Sequence, residues 1–484
     1  MTATSAGELR ADPATTSPAD GASTRHLCAG AHLSRVFTRQ VLDAVYRQPR
    51  RAVGPAGGID TGLVIRHCVA AYRRRLWRDL VLAVIVLGAA AASASGRSPR
   101  LGALLLAAWG VVLVEVAVVR YEVLAARLRP REPDLRLPTS PRLRARIAEI
   151  ERAQAVNVTV YSGFAPFVGS GVDLGGWSFA VDLEKGKEVV GVRRTPRPVG
   201  LGVLRERVVA AVLASGLDGL SVSDGVWIDG TRADALPIRP GGPLTRPVGY
   251  LDPAVVRGYA DTTAPGIRHY HRIQVTGWGG QIVMSIFLRF LVVRGRLYAE
   301  ANYSFLPPAN EAWSAVDLME SAPTVGRAFA LAGRAAAATP AAVALAVPRV
   351  LLAGFRVWVA EPMDRWSERA AVRAGAVADV GARTTVRQLG TSARYSRYFQ
   401  RLDRERYVKL LEPAVLDTVI AVLDESDVDT SDLADRQGTI LNQGVLMTGG
   451  SLQAESLAVG TAAKVTARVR RVATTAGRQQ HDDW

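Results

Sequence analysis

The sequence predicts an α+β membrane protein. Its parts are a transmembrane helical hairpin, a cytoplasmic α+β domain with a mainly antiparallel sheet, and a helical C-terminal region that ends in a β-hairpin. Two apolar runs, 80–96 and 101–119, lie only four residues apart. Segments rich in β-branched and aromatic residues follow between positions 156 and 308, which is typical of strands. Beyond residue 376, apolar residues recur at helical spacing.

Composition narrows the class of protein. The chain has 484 residues, which is enough for two or three domains, and 49% of them are hydrophobic. Its net charge is +16, yet only four of its 60 basic residues are lysines. Arginine excess with abundant Ala, Gly and Val is typical of a GC-rich genome. We therefore do not take the charge as evidence for nucleic-acid binding, and we expect no nucleic-acid partner.

The N-terminal segment carries the soft metal ligands of the chain. Residues 1–25 lack an apolar core and predict a disordered tail rather than a signal peptide. Adjacent side chains at 67 and 68 would point about 100° apart on a helix, and the spacing matches no zinc pattern. We predict no metal and no cofactor. The five ligands considered are His26, Cys28, His32, His67 and Cys68.

The two apolar runs predict membrane helices. At ~1.5 Å per residue they reach roughly 26 and 28 Å, close to the bilayer core of about 30 Å. Arginines cluster before and after the hairpin, whereas the turn holds only Arg97 and Arg100. The positive-inside rule then places both termini in the cytoplasm, with two helices in the cell membrane. The alternative is an alanine-rich hairpin buried in a soluble core.

Glu115 is the carboxylate within the second apolar run. An ionisable side chain inside a membrane by default suggests a functional site. Glu115 lies five residues before Arg120, near the predicted cytoplasmic end. We favour a structural alternative, in which its side chain either reaches the interface or pairs with Arg78 across the hairpin.

A third apolar stretch covers residues 335–348. It has 14 residues without a charge and contains Pro340 and Pro348, so we predict that it is too short to span a membrane. Arg349 and Arg356 follow it, with apolar residues between them. This pattern predicts an interfacial amphipathic helix on the anionic lipid of the inner leaflet. The alternative is a helix that packs on the soluble domain.

The glycine- and phenylalanine-rich loop at 162–176 looks at first like a phosphate-binding loop. Such a loop joins a strand to the N-terminus of a helix, but here the flanking segments "VTVYS" and "WSFAVDL" both read as strands. We therefore favour a structural loop folded onto the sheet by its aromatic residues. A small-ligand site is the alternative. Its residues would be Phe164, Phe167, Gly169, Gly171 and Trp177.

Two histidines flank Tyr270 on a predicted strand. His269 and His271 share a face of that strand, and we predict that this face is exposed to solvent. "FLVVRGRLY" predicts a hairpin that turns at Arg294 and Gly295. The sequence contains no Gly-x-Ser-x-Gly, no His-Glu-x-x-His and no paired CxxC motif.

The last predicted element is a β-hairpin at 438–466. Two short apolar alternations meet there at Gly449 and Gly450. Because a lone hairpin is only marginally stable in water, it must dock on its own chain, pair with another copy or bind a partner. The predicted divisions are disordered tails at 1–25 and 467–484, a helical segment at 26–78, the transmembrane hairpin at 79–120, a basic linker helix at 121–155, the α+β domain at 156–308, a linker with the amphipathic helix at 309–375, a helical region at 376–437 and the hairpin at 438–466.

Several motifs resemble those of a group of uncharacterised two-helix membrane proteins from actinobacteria such as streptomycetes. They are "HLCAGAHL", "RHCVAAYRRRLWRD", "VTVYSGFAPFVGSG" with "WSFAVDL", "LYAEANYSFLPP" and "ILNQGVLMTGGSLQAESLAVG". The resemblance covers about nine-tenths of the chain and implies no activity, catalytic residue or cofactor. The last motif also looks like the short glycine-rich hairpins that end various actinobacterial signalling or defence proteins.

The function that these features predict is that of a membrane-anchored cytoplasmic adaptor or scaffold rather than an enzyme. Its expected partners are anionic lipid and a protein, or a second copy of the chain, bound through 438–466. The alternative is an enzyme or small-ligand sensor with its site at the 162–176 loop. A deep pocket with convergent polar groups at that loop would favour this alternative.

Overall fold

The computed structural model describes residues 21–435 and 437, apart from 97–100, 129–134, 136, 155–156, 236, 320–323 and 393–394. The predicted β-hairpin at 438–466 and the tail at 467–484 lie outside the described residues. The N-terminal disordered tail was predicted to extend to residue 25, and this boundary is wrong. The first helix begins at Ala22, and Arg25 is buried, where it donates a hydrogen bond to the Leu128 carbonyl (3.2 Å) and pairs with Asp317.

Three helices build the N-terminal part of the chain. The first two are separated at Ser34, whose extended backbone breaks the helix and whose hydroxyl accepts a hydrogen bond from the Phe37 amide. The third is capped by Asp60 and runs without a break from the soluble part into the first apolar run. These helices are α1 (Ala22–Leu33), α2 (Arg35–Val41, followed by a π-helical turn at Leu42–Tyr46) and α3 (Thr61–Ala94).

Three helices are long and apolar enough to cross a membrane. Two of them pack against each other and contain the two apolar runs from which the hairpin was predicted: α3 and α4 (Leu101–Ala117, continuing as a π-helix at Val118–Arg127). Large apolar side chains on the outer faces of the pair are about two-thirds exposed, including Val84, Leu105 and Val114. A soluble core helix would bury such side chains, so these faces suit a lipid environment.

The third helix differs from the prediction for residues 335–348. Helix α9 (Val325–Phe355) continues through Pro340 and Pro348 and has 31 residues, more than twice the length of the 14-residue uncharged stretch that was predicted to be too short for a membrane. It is followed by a π-helical turn (Arg356–Ala360) and α10 (Glu361–Arg373). Small residues allow close packing on the hairpin, because Ala335, Ala342 and Ala346 lie in one buried cluster with Leu82, Ala108 and Val112. Packing on neighbouring helices therefore tolerates the two prolines.

A short basic helix, α5 (Pro141–Ala153), leads from the hairpin to a six-stranded sheet of order β1-β5-β6-β7-β8-β2. Strand β1 is parallel to β5, and every other neighbouring pair is antiparallel, which confirms the mainly antiparallel sheet. The predicted turn at Arg294 and Gly295 joins β7 to β8. The strands are β1 (Val158–Tyr161), β2 (Val172–Asp182), β5 (Leu220–Asp229), β6 (Ile267–Gly277), β7 (Ile282–Val293) and β8 (Arg296–Leu306), with a separate short pair β3 (Glu188–Val189) and β4 (Val192–Arg193).

Helices from both sides of α9 cover one face of this sheet. The core there combines α6 (Leu201–Ala214) with α12 (Tyr398–Glu425). Nearby, α7 (Pro253–Gly258) borders a smaller cluster in which Val380 packs with Val158 and Val226. Residues 158–306 and residues 380–433 therefore share one core, which spans the predicted divisions at 308 and 376.

A second core joins the N-terminal helices to the chain that follows the sheet. Helix α8 (Glu311–Ser314) is followed by a 3-10 turn at Ala315–Leu318, and α11 covers Val386–Leu389. The Trp313 ring lies 4.7 Å from the Phe37 ring, centroid to centroid, and packs against Gly30, where a Cβ atom would come within 2.5 Å of the indole. Arg387 is fully buried and donates hydrogen bonds to the Gly280 and Gln281 carbonyls (2.9 and 2.7 Å).

Candidate functional site

The 162–176 loop is filled by one of its own aromatic side chains. The Phe167 ring stacks on Phe287, with centroids 3.9 Å apart and planes 12° apart. Trp227 and Tyr270 meet it edge-on at 6.0 and 5.4 Å. Phe164, in contrast, is fully exposed. The space that a small ligand would need beneath the loop is occupied by Phe167.

Two glycines of this loop, Gly169 and Gly171, lie in close contact with neighbouring segments. Gly169 has a φ of +92°, and its amide donates a hydrogen bond to Oε1 of Gln388 (3.0 Å). Gly171 has a φ of +93°, and a Cβ atom there would lie 2.1 Å from the Phe305 carbonyl oxygen. Left-handed backbone and tight contact with β8 both exclude a side chain at Gly171. The favoured interpretation, a structural loop, accounts for both residues.

Trp177 belongs to the opposite face of the sheet. Its Nε1 donates a hydrogen bond to the Tyr303 hydroxyl (2.7 Å), and that hydroxyl donates to Oε1 of Glu412 on α12 (2.7 Å). Burial raises the pKa of Glu412. Of the five predicted ligand residues, the structure brings together Phe167, Gly169 and Gly171. It places Phe164 in solvent and Trp177 in the contact between the sheet and α12.

The replacement Phe167→Ala is expected to destabilise the protein by roughly 2–3 kcal/mol, because it removes a stacked aromatic ring from a filled site. Phe164→Ala is the matched control and is expected to change the free energy of unfolding by less than about 0.5 kcal/mol, since its side chain contacts solvent. Thermal unfolding of the purified full-length protein, followed by tryptophan fluorescence, measures both. Equal effects of the two variants would contradict this assignment.

Glu115 takes part in an ionic cluster at the base of the hairpin. Its Oε2 lies 2.6 Å from a guanidinium nitrogen of Arg78, which is one of the two structural alternatives considered for it. Arg78 also pairs with Asp79, whose other oxygen lies 3.7 Å from Arg35 on α2. The cluster links helices α3 and α4 to the N-terminal helices, and these contacts account for Glu115 structurally.

Two of the five soft metal ligands of the N-terminal segment, His32 and His67, belong to a hydrogen-bonded chain, whereas His26 pairs with Asp317 and both cysteines are buried free thiols. Arg74 donates to Nδ1 of His32 (3.0 Å), Nε2 of His32 donates to Nδ1 of His67 (2.9 Å), and Nε2 of His67 donates to the Leu135 carbonyl (3.1 Å). A guanidinium can only donate and a carbonyl can only accept, so this chain requires both rings to be neutral. Burial, and then the neighbouring His67, lower the pKa of His32. Within the described ranges, no group of three or more His, Cys, Asp or Glu residues is placed to hold a metal ion.

The strand histidines lie in the interior, so the predicted solvent exposure of their face is wrong. His269 is 3% exposed and His271 is 8% exposed. Their shared carboxylate is Asp224, with an oxygen 2.6 Å from Nδ1 of His271 and 3.8 Å from Nε2 of His269. Burial, and then the charge on His271, lower the pKa of His269 to about 4. Alternation shows which residues share a face, but it does not show that helices cover that face.

A cavity of about 760 Å³ lies where α2, α9 and the segment before α11 meet. Sequence reasoning missed it, because its lining comes from positions between 35 and 389. Among the described residues that line it, arginine is the dominant ionisable type, and Asp43 is the single acidic residue. Such a lining favours an anion. The arginines are Arg35, Arg39, Arg51, Arg349 and Arg383.

Comparison with known proteins gives a family. Residues 176–453 match the family model of the AbeC-like domain, which is more than half of the 484-residue chain. The match covers most of the sheet, α6 to α12 and the beginning of the predicted C-terminal hairpin. No curated protein and no solved structure matches the chain. The match agrees with the expected resemblance to an uncharacterised family, and the chain belongs to the AbeC-like domain family.

Proposed function

We propose that the protein is a membrane-anchored adaptor or scaffold that holds one folded body at the cytoplasmic face of the cell membrane. The observation that carries this proposal is the shared core on the two sides of α9. Strands β5 to β8 precede this helix, α12 follows it, and both contribute to the same buried cluster. A single core cannot be divided between the two sides of a bilayer.

The shared core limits the number of crossings. Three complete crossings would place residues 380–433 on the side opposite the sheet, and the packing of these residues with the sheet supports two crossings instead. Two crossings, by α3 and α4, return the chain to its starting side. Helix α9 then lies against the hairpin without a net crossing. Under the positive-inside rule, the arginine-rich flanks favour a cytoplasmic body and cytoplasmic termini.

Contacts of α9 and α10 support the expected lipid partner. One side of this long helix packs on the hairpin, whereas Leu351 and Trp358 on another side are 66% and 82% exposed. Two ion pairs join this segment to the turn after α2: Arg356 lies 2.7 Å from Asp43, and Glu361 lies 3.2 Å from Arg47. The segment packs on the protein, and its exposed apolar residues support the proposed contact with the inner leaflet.

A topology reporter tests this arrangement. A reporter that is active only in the cytoplasm is expected to be inactive when inserted after residue 98. It is expected to be active when inserted after Val190, an exposed residue between β3 and β4, and when fused after residue 484. Activity after residue 98 would contradict the orientation. Opposite results after 190 and 484 would contradict the two-crossing anchor.

Affinity purification tests the adaptor role. A tagged full-length protein from native membranes is expected to retain a stoichiometric partner, or a second copy of the chain, and to lose it when 438–466 is deleted. The family match reaches residue 453, so residues 438–453 of this segment lie within the matched domain. Deletion of 467–484 is the matched control and should leave the partner bound. Mass spectrometry that finds no partner and no self-association would contradict the adaptor role.

A further inference from the structure

The arginine-lined cavity carries an excess of positive charge. Asp43 is the acidic residue among its described lining residues, and it is already paired with two arginines that do not line the cavity. These are Arg47, four residues later on the chain, and Arg356, at 2.7 Å. The five lining arginines therefore face the cavity without a carboxylate of their own in it.

Several of these arginines have few partners elsewhere. Arg51 donates a hydrogen bond to the Gly381 carbonyl (3.1 Å), and Arg35 lies 3.7 Å from Asp79. Arg39, Arg349 and Arg383 form no hydrogen bond or ion pair with any residue that the structure describes. Three guanidinium groups are thus available to the cavity from α2, from α9 and from the segment before α11.

Like charges crowd one another here. Burial, and then the charges of Arg78 and Arg349, lower the pKa of Arg35. Burial, and then the charge of Arg383, lower the pKa of Arg51. A bound anion would relieve this repulsion, and a guanidinium can hold a phosphate group through two parallel hydrogen bonds.

The cavity lies beside the apolar helices α3 and α9. Arg35 contacts Asp79, the residue before the first apolar run, and Arg349 belongs to the apolar helix α9. Exposed apolar side chains border the cavity. Val36 lines it and is 65% exposed, and Leu352, three residues after the lining residue Arg349, is 64% exposed. Basic lining with an apolar border suits a molecule that has a charged head and an apolar tail.

We propose that this cavity binds a phosphate-bearing anion with two or more negative charges, held mainly by Arg39, Arg349 and Arg383. The favoured source is the headgroup of an anionic phospholipid of the inner leaflet. This choice of leaflet rests on the proposed function, whereas the phosphate chemistry does not. A bound anion would connect α2, α9 and the segment before α11. The position of the folded domain at the membrane would then depend on the lipid composition.

The test uses delipidated full-length protein in mild detergent. Binding of cardiolipin, which carries two phosphates, is compared by native mass spectrometry with binding of phosphatidylcholine, and pyrophosphate serves as a soluble competitor. We expect cardiolipin to bind at least roughly tenfold more tightly than phosphatidylcholine, and Arg39→Gln with Arg349→Gln to remove about tenfold or more of its affinity. The charge-matched control is Arg193→Gln with Arg257→Gln, two exposed arginines outside the cavity, which should change the affinity by less than about twofold.

The outcomes separate the parts of the proposal. Equal losses in the two double variants would overturn the site. Tight binding of pyrophosphate with the same dependence on Arg39 and Arg349, without binding of cardiolipin, would overturn the lipid as its source. Melting temperatures without lipid should agree among all variants within about 2 °C, because Arg39 and Arg349 form no hydrogen bond or ion pair with a residue in the described part of the chain. The assay works in detergent, so a failed topology test would leave its result unchanged, and a failed binding test would leave the adaptor role unchanged.

Discussion

Replacing Gly171 by alanine is expected to lower the melting temperature of the protein by roughly 3 °C or more, corresponding to a loss of about 3 kcal/mol or more in the free energy of unfolding. The added Cβ atom would lie 2.1 Å from the Phe305 carbonyl oxygen and 2.6 Å from Cα of Leu306. Both are backbone atoms of β8, so a side-chain rotation cannot relieve the overlap. Pairing of β2 with the end of β8 would have to open.

The matched control for this variant is Gly175→Ala. Gly175 has a φ of +85°, similar to the +93° of Gly171, but no atom lies within 4 Å of its added Cβ. Alanine there is expected to cost only about 1 kcal/mol, which is the cost of left-handed backbone. Thermal unfolding in detergent measures both variants. Equal losses would mean that backbone angle alone explains Gly171, and the close approach to β8 would then be refuted.

Acid is expected to destabilise the protein as the pH falls from about 6.5 towards 4. His269 has an unfolded pKa near 6.5 and a folded pKa of about 4, so the unfolded chain binds the proton first. Its contribution is fully present above about pH 6.5 and is lost progressively below that value. The shift corresponds to about 3 kcal/mol for a group that is 3% exposed. Its titratable or charged neighbours are His271, Asp224, Arg205 and Arg289.

Urea unfolding at a series of pH values measures this dependence. The variant His269→Gln is expected to show a smaller loss of stability between pH 6.5 and 4.5 than the wild-type protein. Part of the loss should remain, because burial also lowers the pKa of His32 and because the His32–His67 chain requires neutral rings. A free energy of unfolding that stays constant or rises over this pH interval would contradict the buried, neutral state of His269.

Local patterns predicted some parts of the fold well. The paired apolar runs yielded α3 and α4, alternation yielded the antiparallel strands, and the glycine after Arg294 marked the turn between β7 and β8. Each of these signals lies within a short window of sequence. The prediction for residues 335–348 missed the full length of α9. Prolines are unfavourable inside an isolated helix, whereas the small residues of α9 let this helix pack on α3 and α4, and that packing tolerates Pro340 and Pro348.

The sequence by itself predicted two of the three helices that are apolar enough for a membrane, the segments that form most of the strands, and a glycine-rich loop that joins two strands. Only the tertiary structure decided that Phe167 fills that loop, that His269 is buried, that residues on both sides of α9 share one core, and that arginines from distant segments meet in one cavity. The physical reason is the distance along the chain over which each signal acts. Periodicity reports the chemistry of near neighbours, whereas burial and electrostatic potential depend on residues that only folding brings together.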